Sequence, residues 1–79
     1  MKIEIFGTGC PKCKKLFENT QNALIDLNIA VDLSKVEDIN KIMDAGVMIT
    51  PAIAIDGEVK SAGKVLSPDE IKILILRKA

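Results

Sequence analysis

The sequence contains no histidine, no tryptophan and no tyrosine, and only two of its 79 residues are cysteines. Without histidine, the chain lacks the commonest metal ligand and the usual general base at neutral pH. Lysine plus arginine and aspartate plus glutamate are balanced at 11 each, so no excess positive charge favours nucleic acid as a partner. The charged N-terminus does not resemble a signal peptide, and no apolar run approaches membrane-spanning length. We therefore expect neither a nucleic-acid nor a membrane partner.

The composition is typical of one small globular domain covering residues 1–79. Hydrophobic residues make up 48% of the chain and charged residues 28%, which argues against disorder. We predict a cytoplasmic monomer. Thiols are kept reduced in the cytoplasm, so a close cysteine pair there favours a catalytic or metal-binding role over a structural one.

Hydrophobic periodicity predicts the element order β-α-β-α-β-β-α. Alternation over residues 2–7 predicts a first strand, and residues 30–33 predict a second. Spacing of three and four residues predicts a helix from Pro11 onward, with a buried stripe of Cys13, Leu16, Phe17, Thr20, Leu24 and Leu27. We predict that a second helix starts at Ser34, which forms a capping box with Glu37. It would bury Val36, Ile39 and Met43 and stop at Gly46.

The second half of the chain predicts a hairpin and a last helix. An apolar strand, an Asp56-Gly57 turn and an alternating strand indicate the hairpin. Ser67, Pro68 and Glu70 form the predicted start of the last helix, which buries Ile71, Leu74 and Ile75. We therefore expect an α/β fold, with a four-stranded mixed sheet flanked by helices on both faces. Small copper carriers use a β-α-β-β-α-β order instead, which ends in a strand.

Both cysteines lie in the stretch IFGTGCPKCKKL, where the first strand gives way to the first helix. Cys10 falls at or near the N-cap, Pro11 suits the first helical position, and Cys13 lies one turn later. The helix N-terminus and the nearby lysines, including Lys12, favour a thiolate. We expect the pKa of Cys10 to fall from about 8.5 into the range of about 3.5–7.5 known for activated cysteines.

The helical stripe makes the two sulfurs different. Cys13 belongs to the buried face, so we expect Cys10 to attack a substrate disulfide and Cys13 to resolve the mixed disulfide. Zinc needs four ligands, and two cysteines without histidine supply only half of such a site. Binding of Cu(I) or As(III) by two thiolates remains an alternative. A structural disulfide across one helical turn would constrain very little chain.

Together with Thr50-Pro51 at the start of the hairpin, this pattern resembles the thioredoxin fold over essentially the whole chain. It is most similar to the small redox-active disulfide proteins of archaea and bacteria. The resemblance implies that the Thr50-Pro51 bond is cis, that it lies near Cys10 and that it helps to bind substrate. It also implies disulfide-containing target proteins, a reductase that supplies electrons, and no bound cofactor.

The Cys-Pro-Lys-Cys motif differs from the usual motifs of two branches of this superfamily. Thioredoxins usually carry Cys-Gly-Pro-Cys and glutaredoxins Cys-Pro-Tyr-Cys, which this chain approaches with Lys12 in the third position. We expect Pro11 and Lys12 to tune the pair. The glutathione site of glutaredoxins uses Gly-Gly followed shortly by Asp. In this chain the corresponding stretch, SAGKVLSPDE, has a single glycine, Gly63. We therefore predict Gly63 as a substrate-binding residue and protein disulfides as the substrates.

Glu4 lies six residues before Cys10, the spacing at which thioredoxins place a buried acid that moves the proton of the resolving thiol. In a central strand, covered on both faces, Glu4 would be partly buried and suited to this role. Alternatively, Glu4 is simply a charged residue near a loosely covered strand end. We keep Glu4 as a candidate proton acceptor.

Overall fold

The computed structural model describes residues 1–78 and has seven elements in the predicted order. The strands are β1 (Lys2–Phe6), β2 (Asp32–Val36), β3 (Ala52–Ile55) and β4 (Glu58–Ala62). The helices are α1 (Pro11–Leu27), α2 (Ile39–Asp44) and α3 (Pro68–Lys78). The sheet order is β2-β1-β3-β4, with β1 and β2 parallel and the other neighbouring pairs antiparallel. The predicted four-stranded mixed sheet is confirmed.

Strand β1 lies inside the sheet and separates two apolar cores. Side chains along a strand alternate between the two faces. Ile3 and Ile5 pack in one core with Leu16 of α1 and Ile71 of α3. On the other face, Phe6 packs in the second core, which contains Ile42 of α2. Helices therefore cover both faces of the sheet, as predicted.

Local signals placed the hairpin and the last helix correctly. Asp56 and Gly57 adopt left-handed φ angles of 51° and 84°, which a tight two-residue hairpin turn requires. The capping box at α3 is reciprocal: the Glu70 N–H donates to Ser67 Oγ, and the Ser67 N–H donates to Glu70 Oε1, both at 3.2 Å. Two helix-terminal donors are satisfied in this way.

The predicted start of the second helix at Ser34 is wrong. Residues 32–36 pair in parallel with β1, and Ser34 lies opposite Glu4 in that ladder. Helix α2 begins later, at Ile39, where the side chain of Asp38 accepts the Asn40 N–H at 2.9 Å. The capping-box pattern at Ser34 is a local signal, and strand pairing with the central β1 overrides it.

The predicted buried stripe of this helix is also wrong. Val36 belongs to β2, and Ile39 and Met43 are 60% and 67% exposed. Ile42 is the residue that α2 buries, at 3% exposure. The helix ends at Asp44, close to the predicted stop at Gly46, whose φ is 82°.

Candidate active site: the Cys10–Cys13 pair

Cys10 and Cys13 lie where the loop after β1 enters α1. Cys10 is the N-cap residue in an extended conformation, and its Sγ accepts the Cys13 N–H at 3.4 Å. Pro11 opens the helix, and the Lys14 N–H donates to the Cys10 carbonyl at 3.1 Å. The predicted position of the pair at the helix N-terminus is confirmed. Unpaired helical N–H groups at this end favour negative charge on Cys10.

The two sulfurs differ in accessibility. Both cysteines are free in this structure, and their Sγ atoms lie 2.6 Å apart. Cys13 is 6% exposed and belongs to the buried face of α1, whereas Cys10 is half-buried. Lys12, Lys14 and Lys15 are all exposed around the pair. An incoming disulfide therefore meets Cys10 before Cys13.

The hydrogen bonds shift the two thiol pKa values in opposite directions. The pKa of Cys10 is lowered, chiefly because the Cys13 thiol donates to its sulfur and then because the Cys13 backbone N–H does so. The pKa of Cys13 is raised, first by burial and then by its hydrogen bond to Cys10. The predicted lowering for Cys10 is confirmed in direction. Its main cause is the neighbouring thiol, whereas the sequence pointed to the helix terminus and the lysines.

Gly7 lets α1 approach the end of β1. A Cβ atom added at Gly7 would collide with Cys13 Sγ and would lie 2.9 Å from Cys13 Cβ. Its φ is not in the positive range, so the need for glycine is steric rather than conformational. In the sequence, the only signal of this contact is a small residue directly after a strand, so the contact was not predicted.

The predicted substrate-binding residues lie at and near the start of β3. The Thr50-Pro51 peptide bond is cis, which confirms what the resemblance implied. Phe6 pairs with Ala52, and Ala52 pairs with Ala62. Pro51 therefore lies at the same end of the sheet as the cysteine loop. It is buried, whereas Thr50 is exposed.

Gly63 forms a direct backbone hydrogen bond with Pro51. Its N–H donates to the Pro51 carbonyl at 2.8 Å, and its φ is 81°. A Cβ atom at Gly63 would lie 2.9 Å from Cγ2 of Ile49. Ile49 and Met48 are 61% and 92% exposed, so two apolar side chains precede the cis bond on the surface. Neither Met48 nor Ile49 was a predicted site residue.

A pocket of about 50 Å³ adjoins Cys13 on the other side of the loop. Its lining includes Lys35 and Glu37 at and just beyond the end of β2. The Lys35 Nζ atom lies 4.5 Å from the centre of the Phe17 ring. Neither charged residue was a predicted site residue. Continuation of the second strand to Val36 would have placed both at this edge.

Glu4 is half-buried within β1, between Ser34 of β2 and Ala54 of β3. Strand alternation puts its side chain on the face of Phe6, away from Ile3 and Ile5. Its role as a proton acceptor stays a prediction.

Within residues 1–78, no group of three or more His, Cys, Asp or Glu side chains is arranged to hold a metal ion. In the same range, no helix is long and apolar enough to cross a membrane. A two-thiolate site for a soft ion remains the alternative ligand chemistry for this pair.

A Cys-x-x-Cys pair at a helix N-terminus, with a cis-proline at the same end of the sheet in a β-α-β-α-β-β-α fold, defines a thioredoxin-fold protein. A sequence model of the thioredoxin domain matches residues 1–76. The chain is 40% identical over 75 residues to a thioredoxin of Methanothermobacter thermautotrophicus, covering 95% of this chain and 97% of that protein. A 27-residue stretch is 56% identical to a thioredoxin of Methanocaldococcus jannaschii, covering 34% and 31% of the two chains. The chain therefore belongs to the thioredoxin family, and its general chemistry is thiol–disulfide oxidoreduction.

Proposed function

We propose that this protein reduces or exchanges disulfides in target proteins, with Cys10 as the attacking thiolate and Cys13 as the resolving thiol. The observation that carries the proposal is the asymmetry of the two sulfurs. Cys10 is accessible and has a lowered pKa, whereas Cys13 is buried and has a raised pKa. Since the thiolate is the attacking species in exchange, this asymmetry assigns the first attack to Cys10.

The reaction takes place in two displacements. The Cys10 thiolate attacks one sulfur of the target disulfide, and the other sulfur leaves as a thiolate that takes up a proton from water. Cys13 then loses its proton and attacks Cys10 Sγ, which releases the second target sulfur. Two electrons pass to the target, and a Cys10–Cys13 disulfide remains. An external dithiol or reductase must supply two electrons to complete the cycle.

We propose that the target chain lies against Thr50, Pro51 and Gly63. These residues lie at the end of the sheet from which the cysteine loop emerges. The exposed side chains of Met48 and Ile49 add apolar surface to this end. The lack of a side chain at Gly63 leaves room for Ile49 to lie across it.

Pro11 and Lys12 separate the two cysteines and tune them in different ways. Pro11 opens α1 and so fixes Cys10 at the N-cap. Lys12 contributes a backbone N–H that helps to lower the pKa of Cys10, and its side chain is exposed. We propose that Lys12 influences both the reduction potential and the choice of target.

A reduction assay with insulin as the target tests this function. With dithiothreitol as the electron source, the wild-type protein should accelerate insulin reduction, and Cys10→Ser should abolish the acceleration. Cys13→Ser should lose turnover and, in a parallel reaction without dithiothreitol, should retain a mixed disulfide between Cys10 and insulin, visible by mass spectrometry. Asn22→Ser, on the exposed side of α1, is the control and should retain activity.

A rate no higher than that with dithiothreitol alone would refute the proposal, as would full activity in Cys10→Ser. If the protein is inactive on insulin but retains Cu(I) stoichiometrically against excess glutathione, the carrier alternative is correct. Loss of bound Cu(I) to glutathione excludes that alternative.

A further inference from the structure

The alternation of side chains in β1 determines which carboxylates share a face with Cys13. Ile3 and Ile5 face α1, and Gly7, two residues further on, contacts Cys13 Sγ. Glu4 lies between them in sequence and so projects to the opposite face, that of Phe6. The sheet therefore stands between the Glu4 carboxylate and the resolving thiol.

Glu37 lies on the Cys13 face of the sheet. Lys35 pairs with Ile5 in the parallel ladder, so the two side chains project to the same side, and Glu37 follows two residues later. The Gly7 N–H donates to the Val36 carbonyl at 3.0 Å, which holds this segment against the cysteine loop. A Cβ atom built at Gly9 would lie 3.3 Å from Glu37 Oε2, so the carboxylate reaches the loop itself.

Cys13 and Glu37 line the same pocket of about 50 Å³. A cavity needs only about 10–15 Å³ to hold a water molecule, so a water can bridge the thiol and the carboxylate. Two cations also line this pocket, Lys14 from α1 and Lys35 from β2. The Lys35 ammonium lies over the Phe17 ring. Among the described residues that line the pocket, Glu37 provides the only carboxylate.

We propose that Glu37 is the positioning residue that accepts the proton of Cys13, through a water in this pocket, when the mixed disulfide is resolved. The inference rests on the exchange reaction proposed above. The S–H bond of Cys13 breaks, and its proton passes through the water to the Glu37 carboxylate. The sulfur electron pair forms the bond to Cys10 Sγ, and the target sulfur leaves with the pair of the broken bond. Glu37 is exposed on its outer side and then returns the proton to solvent.

A single-turnover experiment with a chromogenic aromatic disulfide separates the two displacements. The reduced protein should release one coloured thiolate when Cys10 attacks and a second when Cys13 resolves. Glu37→Gln should leave the first phase unchanged and slow the second at neutral pH by about a hundredfold, the lower end of general-base effects. The deficit should shrink as the pH rises, because hydroxide then removes the proton, and added formate should partly restore the rate.

Two matched control variants each remove one negative charge, at Glu18 or at Glu4. Glu18→Gln changes an exposed carboxylate of α1 that pairs with Lys15 at 3.9 Å, and both phases should remain unchanged. Glu4→Gln tests the acid on the opposite face of β1. A second phase that slows in Glu4→Gln and not in Glu37→Gln overturns the inference in favour of Glu4. Equal rates and pH profiles in wild type and Glu37→Gln also overturn it. Absence of the first phase in the wild type would instead refute the exchange function itself.

Discussion

Replacement of Gly7 by alanine tests how closely α1 must approach β1 for the cysteine pair to form. The added methyl group would collide with Cys13 Sγ and would lie 2.9 Å from Cys13 Cβ. Gly7 and Cys13 are both buried, and Cys13 is held in the first turn of a 17-residue helix. Neither partner can move to the surface without displacing α1 or the loop.

The expected cost combines two opposing effects. Overpacking a well-filled interior costs about 1–3 kcal/mol, and the severity of this contact places Gly7→Ala at the upper end. Because the backbone at Gly7 suits alanine, the lower entropy of the unfolded chain returns about 0.4–1 kcal/mol. The net loss is about 2 kcal/mol. For a domain of this size, that corresponds to a fall in Tm of about 8–16 °C.

Thermal and urea unfolding of the reduced protein measure this loss, with Thr8→Ala at the exposed neighbouring position as the control. The double variant Gly7→Ala/Cys13→Ala removes the sulfur from the contact. We expect it to recover about 1 kcal/mol or more relative to the sum of the single variants. The same collision should slow resolution by Cys13, since the sulfur is pushed from its place beside Cys10.

Two results would refute this reasoning. The first is a Gly7→Ala protein as stable as the wild type, which would mean that α1 shifts without cost. The second is a loss of stability that persists unchanged in the double variant. That result would place the strain in the contact with Cβ of residue 13, which alanine retains at 2.9 Å, or in the backbone of the loop, rather than in the contact with the sulfur.

Two further predictions concern the thiol pair and the last helix. The pKa of Cys10 is lowered, chiefly by the hydrogen bond from the Cys13 thiol. Its alkylation by iodoacetamide should therefore rise with pH to a plateau whose midpoint lies below that of an unperturbed cysteine, and Cys13→Ala should move that midpoint upward. Ser67→Ala removes the acceptor of the Glu70 N–H and should cost about 0.5–2 kcal/mol in urea unfolding, whereas Ser61→Ala, at a half-buried serine of β4 outside any helix cap, serves as the control.

Each of these predictions has a clear contrary outcome. An alkylation midpoint that does not move in Cys13→Ala would show that the helix N-terminus and the lysines, rather than the neighbouring thiol, set the pKa of Cys10. A Ser67→Ala protein no less stable than Ser61→Ala would show that Glu70 and water satisfy the first turn of α3 without the hydroxyl.

Features determined by neighbouring residues could be predicted from the sequence. The position of Cys10 at the N-cap, the Asp56-Gly57 turn and the capping box at Ser67 all depend on contacts within a few residues. The cis bond at Pro51 came from the family resemblance, because its own residues favour a trans bond in most contexts.

Features determined by distant residues could not be predicted in the same way. Ser34 has the signal of a helix start, yet its strand pairs with β1, which is far away in sequence. Because of the same error, Glu37 was not predicted as a site residue. The capping-box pattern places it at a helix start, whereas in the structure it lines the pocket beside Cys13. The contact between Gly7 and Cys13 depends on the packing of α1, which no local pattern encodes.

The position of β1 inside the sheet has a consequence for local opening of the native state. This strand is hydrogen-bonded to β2 along one edge and to β3 along the other, and the cysteine loop continues directly from it. Helix α2 has six residues and buries only Ile42, so it belongs to the least protected part of the fold. We therefore expect opening of α2 to leave the β1 ladders intact and the amides of β1 to exchange with solvent only when the whole domain unfolds. The thiol pair would then keep its geometry while α2 opens.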